Sequence, residues 1–151
     1  MEAKELIKAA LEARNNAYTP YSNYNVGAAL IAGSGKLYTG CNVENASYGA
    51  TNCAERTAVF KAVSEGEKVV TSIAIVGGPK GVMDVMPGYA FPCGVCRQVL
   101  REFSDPDKLV VYVAKSVDDY KQYTLAELLP DSSGLAFIIP DVMSPFFIPF
   151  I

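Results

Sequence analysis

Asn52-Cys53-Ala54-Glu55-Arg56 and Pro92-Cys93-Gly94-Val95-Cys96 are the two stretches that decide how this chain is read. Each predicts the opening turn of a helix. The first helix begins at Asn52 or Cys53, runs to about Ser64, and buries Ala54, Ala58 and Val59. The second runs from Cys93 to Phe103, with Pro92 placed to start it, since proline suits a first helical turn. Outward from these helices the pattern alternates. Val26–Ile31 and Lys36–Asn42 are β-rich runs around Gly33-Ser34-Gly35, the signature of an antiparallel hairpin. Thr71–Val76 is short, apolar and β-branched, a buried strand, and Leu109–Ala114 is another. Gly77–Phe91, rich in Gly, Pro and Met, reads as a loop. Residues 2–17 hold Leu6, Ile7, Ala10, Leu11 and Ala17 near helical spacing, and Tyr18-Thr19-Pro20-Tyr21-Ser22 ends that helix. Thr124–Leu129 is a short helix that stops at Pro130. The order predicts a single α/β domain, a mixed sheet with an opening hairpin and covering helices.

The same two stretches carry the chemistry. Three thiols and a carboxylate in this pattern can bind one Zn²⁺ and keep a coordination position open, as catalytic zinc sites do. The chain has no His, so the usual partner in a mixed Cys/His site is missing. A helix N-terminus offers free N–H groups and partial positive charge, both of which favour thiolate over thiol. Two such ends meeting over one ion would account for Cys53, Cys93 and Cys96 as ligands. Three thiolates leave the ion with a net charge of about −1, so a nearby cation is needed, and Arg56 is the candidate. Glu55 is better suited to the bound water than to the metal, as a general acid/base. Other readings stand beside this one. A lone C-x-x-C also occurs in redox dithiols, but that leaves Cys53-Ala54-Glu55 unexplained. A closed structural site would need Cys41 as fourth ligand; Cys41 lies in a strand pattern and reads as core.

Composition narrows the classes. At 151 residues, half of them hydrophobic, the chain can bury a core as one domain. A formal charge of −3 gives no attraction to a polyanion, so nucleic acid is not an expected partner. Met1-Glu2-Ala3-Lys4-Glu5 lacks the apolar core of a secretory signal, and four Cys without one imply reduced thiols in the cytoplasm. After Ser133 the chain turns apolar, with Phe146-Phe147-Ile148-Pro149-Phe150-Ile151 at its end. Prolines and Asp141 rule out a membrane-spanning helix there. Two readings of this tail stay open: packing on a partner subunit, or a terminus altered by cloning or a shifted reading frame.

Cys53-Ala54-Glu55-Arg56-Thr57-Ala58 with Pro92-Cys93-Gly94-Val95-Cys96-Arg97-Gln98 resembles the zinc signature of the small homotetrameric cytidine deaminases. Tyr18–Leu30, Gly40–Tyr48 and Glu127-Leu128-Leu129-Pro130 resemble further segments of that family, so that about residues 4–131 are covered. The resemblance implies a three-layer cytidine-deaminase-like fold over residues 1–131, with 132–151 as an atypical apolar tail. It implies one Zn²⁺ per subunit on Cys53, Cys93 and Cys96, and Glu55 moving protons while cytidine or 2′-deoxycytidine is deaminated by water. It further implies that Asn42 and Glu44 hold the ribose 3′-hydroxyl, that Tyr24 flanks the pyrimidine, and that the Ala54 N–H meets the base O2. Tyr48 is expected to reach a neighbouring subunit's site in a homotetramer, and Arg56 to bond the thiolates. The partner is then a nucleoside, with no nucleic acid and no membrane.

The chain also departs from the family. Ser133 stands where an aromatic would close a neighbour's pocket, and Phe137 is the available substitute. Phe91 stands where Ser is frequent, at a position whose implied role uses only the backbone carbonyl. The Gly77–Phe91 loop is longer than in many relatives. Two other functions fit much of the pattern. One is deamination of a different aminopyrimidine nucleoside such as blasticidin S. The other is a catalytically impaired, zinc-stabilised assembly protein.

Overall fold

The computed structural model describes residues 1–135. Its elements are α1 (Ala3–Ala13), β1 (Tyr24–Ala32), β2 (Leu37–Cys41), α2 (Ala54–Ser64), β3 (Val70–Pro79), α3 (Gly94–Glu102), β4 (Val110–Ala114), β5 (Tyr120–Thr124) and α4 (Leu125–Leu128). The five strands form one sheet in the order β2-β1-β3-β4-β5. β1 lies antiparallel to both β2 and β3, β3 is parallel to β4, and β5 closes antiparallel on β4. The mixed sheet and its opening hairpin are as the sequence predicted.

Alternation along the strands builds three layers, because successive side chains point to opposite faces. Ala28, Leu30, Ile73, Ile75, Val111 and Val113 face Ala54, Ala58, Val59 and Ala62 of α2 and Leu100 of α3. The residues between them, Ala29, Ala74, Val76 and Ala114, face Leu6, Ile7 and Ala10 of α1. Each Leu, Ile or Val so buried contributes about 1.5–3 kcal/mol relative to exposure. Among the described residues no helix is long and apolar enough to cross a membrane.

Several expectations are corrected. The first helix ends at Ala13 and tightens into a 3₁₀ turn, Arg14–Asn16, so Ala17 lies outside it. Arg14, at this turn, is 3% exposed and points inward. Its guanidinium donates to the carbonyls of Asn25, Val82, Gly78 and Pro79 at 2.7–3.0 Å. Each N–H so used has an acceptor, which offsets part of the cost of burying the charge, although burial still pulls the Arg14 pKa down. β3 runs on through Gly77 and Gly78 to Pro79, pairing them with Val26, Asn25 and Tyr24, so the loop begins only at Lys80. Glycine reads as a strand breaker, yet here it is required. A Cβ on Gly77 would lie 2.7 Å from the Cβ of Ala90 and 3.0–3.1 Å from the side chains of Tyr24 and Val26, and one on Gly78 would displace the sulfur of Met86, which plugs the α1 face of the sheet.

β5 was not expected at all. Tyr120-Lys121-Gln122-Tyr123-Thr124 has no apolar run, because an edge strand half in solvent needs none. Its place comes from pairing with β4, from Val110 opposite Thr124 to Ala114 opposite Tyr120. Pro92 lies outside the third helix, whose N-cap is Cys93. Cys41 is half-buried at the end of β2 rather than a member of the core. Ser132 and Ser133 are tethered to α3, accepting from Arg101 and Gln98 at 2.9 Å each. Phe137 and residues 136–151 of the apolar tail lie outside the described residues.

Candidate active site

Two helix starts converge on one spot. Cys53 is the N-cap of α2 and Cys93 the N-cap of α3, both with extended backbone. Cys96 follows one turn into α3 and is fully buried. The Sγ atoms of Cys53, Cys93 and Cys96 all lie within 4.8 Å of one another, and among the described residues no other such group of metal-binding side chains forms. Cys53 and Cys93 sulfurs are 3.9 Å apart. Tetrahedral zinc with bonds of about 2.3 Å to sulfur sets its ligands about 3.8 Å apart, so this edge fits the ion. Cys41 stands outside the group, as does Glu55.

The electrostatics agree with a cationic guest. Arg56 donates through Nη2 to the Cys53 sulfur at 3.2 Å. Its Nε is buried with no hydrogen-bond partner, a donor left over beside the sulfur cluster. Contact with the Cys96 thiol, reinforced by Arg56, pulls the Cys53 thiol down to about 5. Contact with Cys53 and burial push the Cys96 thiol in the opposite direction, upward. Arg56 in turn is held charged by the sulfurs. Glu55 is 4% exposed, and burial, with the Cys53 thiolate adding to it, pushes its carboxyl up to about 7.

A cavity of about 290 Å³ opens over these groups, lined by Tyr24, Asn42, Cys53, Ala54, Glu55 and Cys93 among others. Of the residues singled out in the sequence, Glu44 and Tyr48 are not in it. They line a second cavity of about 350 Å³ with Tyr21, Ser22 and Asn45, and Thr51 is common to both. Glu44 is already engaged, accepting from the backbone N–H of Tyr21 and Ser22 and from the Ser22 hydroxyl. Asn42 braces β1, donating to Tyr24 O and accepting from Val26 N at 2.9 Å each.

Residues 1–113 match the family described as "Cytidine and deoxycytidylate deaminase zinc-binding region". The chain belongs to this family. Zinc is the metal of the family's binding region, and the three sulfurs here suit it. A cytidine deaminase of Halalkalibacterium halodurans is 48% identical over 130 residues, 86% of this chain and 92% of that protein. A crystal structure of cytidine deaminase from Burkholderia pseudomallei superposes with a TM-score of 0.78 at 45% identity, covering 88% of this chain and all of that one. The Mycobacterium tuberculosis enzyme gives 0.72 at 38% identity, over 89% of this chain and 99% of its own. The deaminase-like fold expected from the sequence is thus the one observed.

Some lining residues carried no signal in the sequence. Val26 and Ile75 are ordinary strand residues until the sheet places them under the cavity. Thr51 and Asn52 immediately precede Cys53, and that adjacency was their only sign. Gly40 supports the site from below: a Cβ there would stand 2.5 Å from Ala58 N and 2.6 Å from Ala54 O, in the backbone of α2. Gly40→Ala must therefore push α2 outward, at a cost of about 1–3 kcal/mol. A lowered urea midpoint at constant slope is the expected result, with reduced zinc retention because Cys53 caps that helix.

Proposed function

We propose that the chain catalyses the hydrolytic deamination of cytidine and 2′-deoxycytidine to uridine and 2′-deoxyuridine, with release of ammonia. The observation that carries this reading is Glu55: a buried carboxyl beside a three-sulfur cluster it does not join, facing the same cavity. Cys53, Cys93 and Cys96 would hold one zinc ion per subunit, which when bound would lower the pKa of water and so supply a nucleophile at neutral pH. Glu55 would accept one proton of the attacking water and pass it to N3 of the base, then take the second from the oxygen now on C4 and deliver it to the departing amine. The bond from C4 to oxygen is made first, and the bond from C4 to the amine nitrogen breaks afterwards, with one water consumed per ammonia released. Arg56 offsets the negative charge of the sulfurs, supported by its 3.2 Å bond to Cys53.

The two adjoining cavities support a placement for the substrate. Tyr24, on the wall of the first, flanks the pyrimidine by stacking. The Ala54 N–H, in the first turn of α2, meets the base O2. Asn42 and Glu44 hold the ribose 3′-hydroxyl. Each has capacity left: the Asn42 amide retains one N–H and one lone pair, and Glu44, with three bonds accepted, retains one site. Tyr48, 82% exposed at the second cavity, reaches a neighbouring subunit's site in a homotetramer. Residues 1–131 form the working unit of this cytoplasmic enzyme of pyrimidine salvage, and 132–151 are an appended tail. Incubating zinc-loaded protein with cytidine tests the reading. The ultraviolet spectrum is expected to change to that of uridine with ammonia in equal amount, and an unchanged spectrum with metal-replete protein would refute it.

A further inference from the structure

We propose that Phe91 sets the size of base the site accepts, barring cytosine rings enlarged at the exocyclic amine or at the adjoining ring carbon. This rests on the deaminase reading above. The first cavity is lined by Cys53, Glu55 and Cys93, and it shares Thr51 with the second cavity, which Glu44 lines. A nucleoside that reacts beside the sulfurs and sends its sugar toward Glu44 presents its amine, and the ring carbon beside it, to the end of the cavity nearest Cys93. Phe91 lines the same cavity two residues before Cys93. The other apolar lining residues near it are strand side chains held in the sheet, Val26 and Ile75, or the small Ala90.

The wall is built to stay where it is. The Phe91 ring meets Tyr123 of β5 edge-on, with centroids 5.8 Å apart and planes at 61°. Upstream the loop is pinned twice to the β4–β5 hairpin. Met86, 2% exposed, donates its N–H to Lys115 O at 2.8 Å. Tyr89 donates its hydroxyl to Asp119, while the ammonium groups of Lys115 and Lys121 each lie 4.7 Å from its ring centroid. Downstream, Pro92 restricts the backbone of Phe91 to extended conformations. The Pro92 carbonyl is held by Arg97 Nε at 2.8 Å, and Arg97 is itself anchored on Leu128 O at 2.6 Å. A base with an extra methyl group at this end therefore meets a ring that the loop cannot carry away. The edge strand β5 and the long loop share this task of bracing one aromatic side chain.

Phe91 is 44% exposed, so its replacement leaves the core intact. The test measures kcat/KM for cytidine, 5-methylcytidine and N4-methylcytidine with the zinc-loaded full chain, Phe91→Ala and Tyr123→Leu. One methyl group in an apolar pocket is worth about 10–200-fold in discrimination. Phe91→Ala is expected to raise the rate constants for both methylated nucleosides, relative to cytidine, by roughly tenfold or more. Tyr123→Leu, which removes only the brace, shifts the ratio the same way by a smaller factor. Ratios that stay at the unmodified protein's value in both variants overturn the inference, as does a uniform fall for all three substrates. Failure of the unmodified protein on cytidine overturns instead the reading on which it rests.

Discussion

Glu55→Gln is expected to leave zinc in place and to lower cytidine turnover by about 10²–10⁴-fold, the range that a positioned acid/base contributes. Glutamine preserves the size and most of the hydrogen-bonding of the side chain, which matters at a site only 4% exposed. It cannot take up and release a proton. The carboxyl stands outside the sulfur cluster, so its loss removes no ligand. Elemental analysis and the initial rate of the ultraviolet change, measured on one preparation, separate the two roles. Turnover within a few-fold of the unmodified protein would remove Glu55 from the chemistry, and loss of zinc along with activity would make it a ligand.

Cys96→Ala is expected to abolish both metal retention and turnover. Changing a residue that merely orients a metal ligand typically costs about 10–100-fold in affinity, so deleting a ligand costs more than about 100-fold. Cys96 is fully buried in the first turn of α3, and no other Cys, Asp or Glu among the described residues joins the group to replace it. Cys41→Ala is the matched control. It also deletes one sulfur, but a half-buried one at the end of β2, where burial pushes the thiol up and away from the thiolate form. Zinc content after dialysis should fall close to zero in Cys96→Ala and stay at one equivalent in Cys41→Ala. Helical circular dichroism shows whether the fold survives. Arg56→Met, which removes a charge beside the sulfurs and no ligand, belongs between the two, at about 10–100-fold weaker binding.

How far the sequence reached depended on the range of the forces involved. Helix starts at Cys53 and Cys93 were legible because proline placement, periodicity and thiol chemistry act within one turn of the chain. Buried strands such as β3 were legible because continuous apolar runs need no knowledge of their neighbours. The end of β3 was not. Gly77 and Gly78 read as loop residues until their pairing with β1, and the crowding of Gly77 by Ala90, Tyr24 and Val26, show why small residues stand in this strand. Nor was the end of the first helix, where Arg14 turns inward onto four carbonyls supplied by β1, β3 and the loop after it.

By itself the sequence determined which atoms can hold the ion, which carboxyl stands beside them, and that helices and strands alternate around them. These follow from residue type and near spacing, which are properties of the chain before it folds. Tertiary structure alone decided that Cys53 and Cys93 come within 3.9 Å of each other, that Glu44 and Tyr48 line a cavity next to the one holding the sulfurs, and that an unremarkable polar segment becomes β5. Those outcomes depend on strand pairing and helix docking between segments far apart in sequence, where the energy of each contact exists only once both sides are in place.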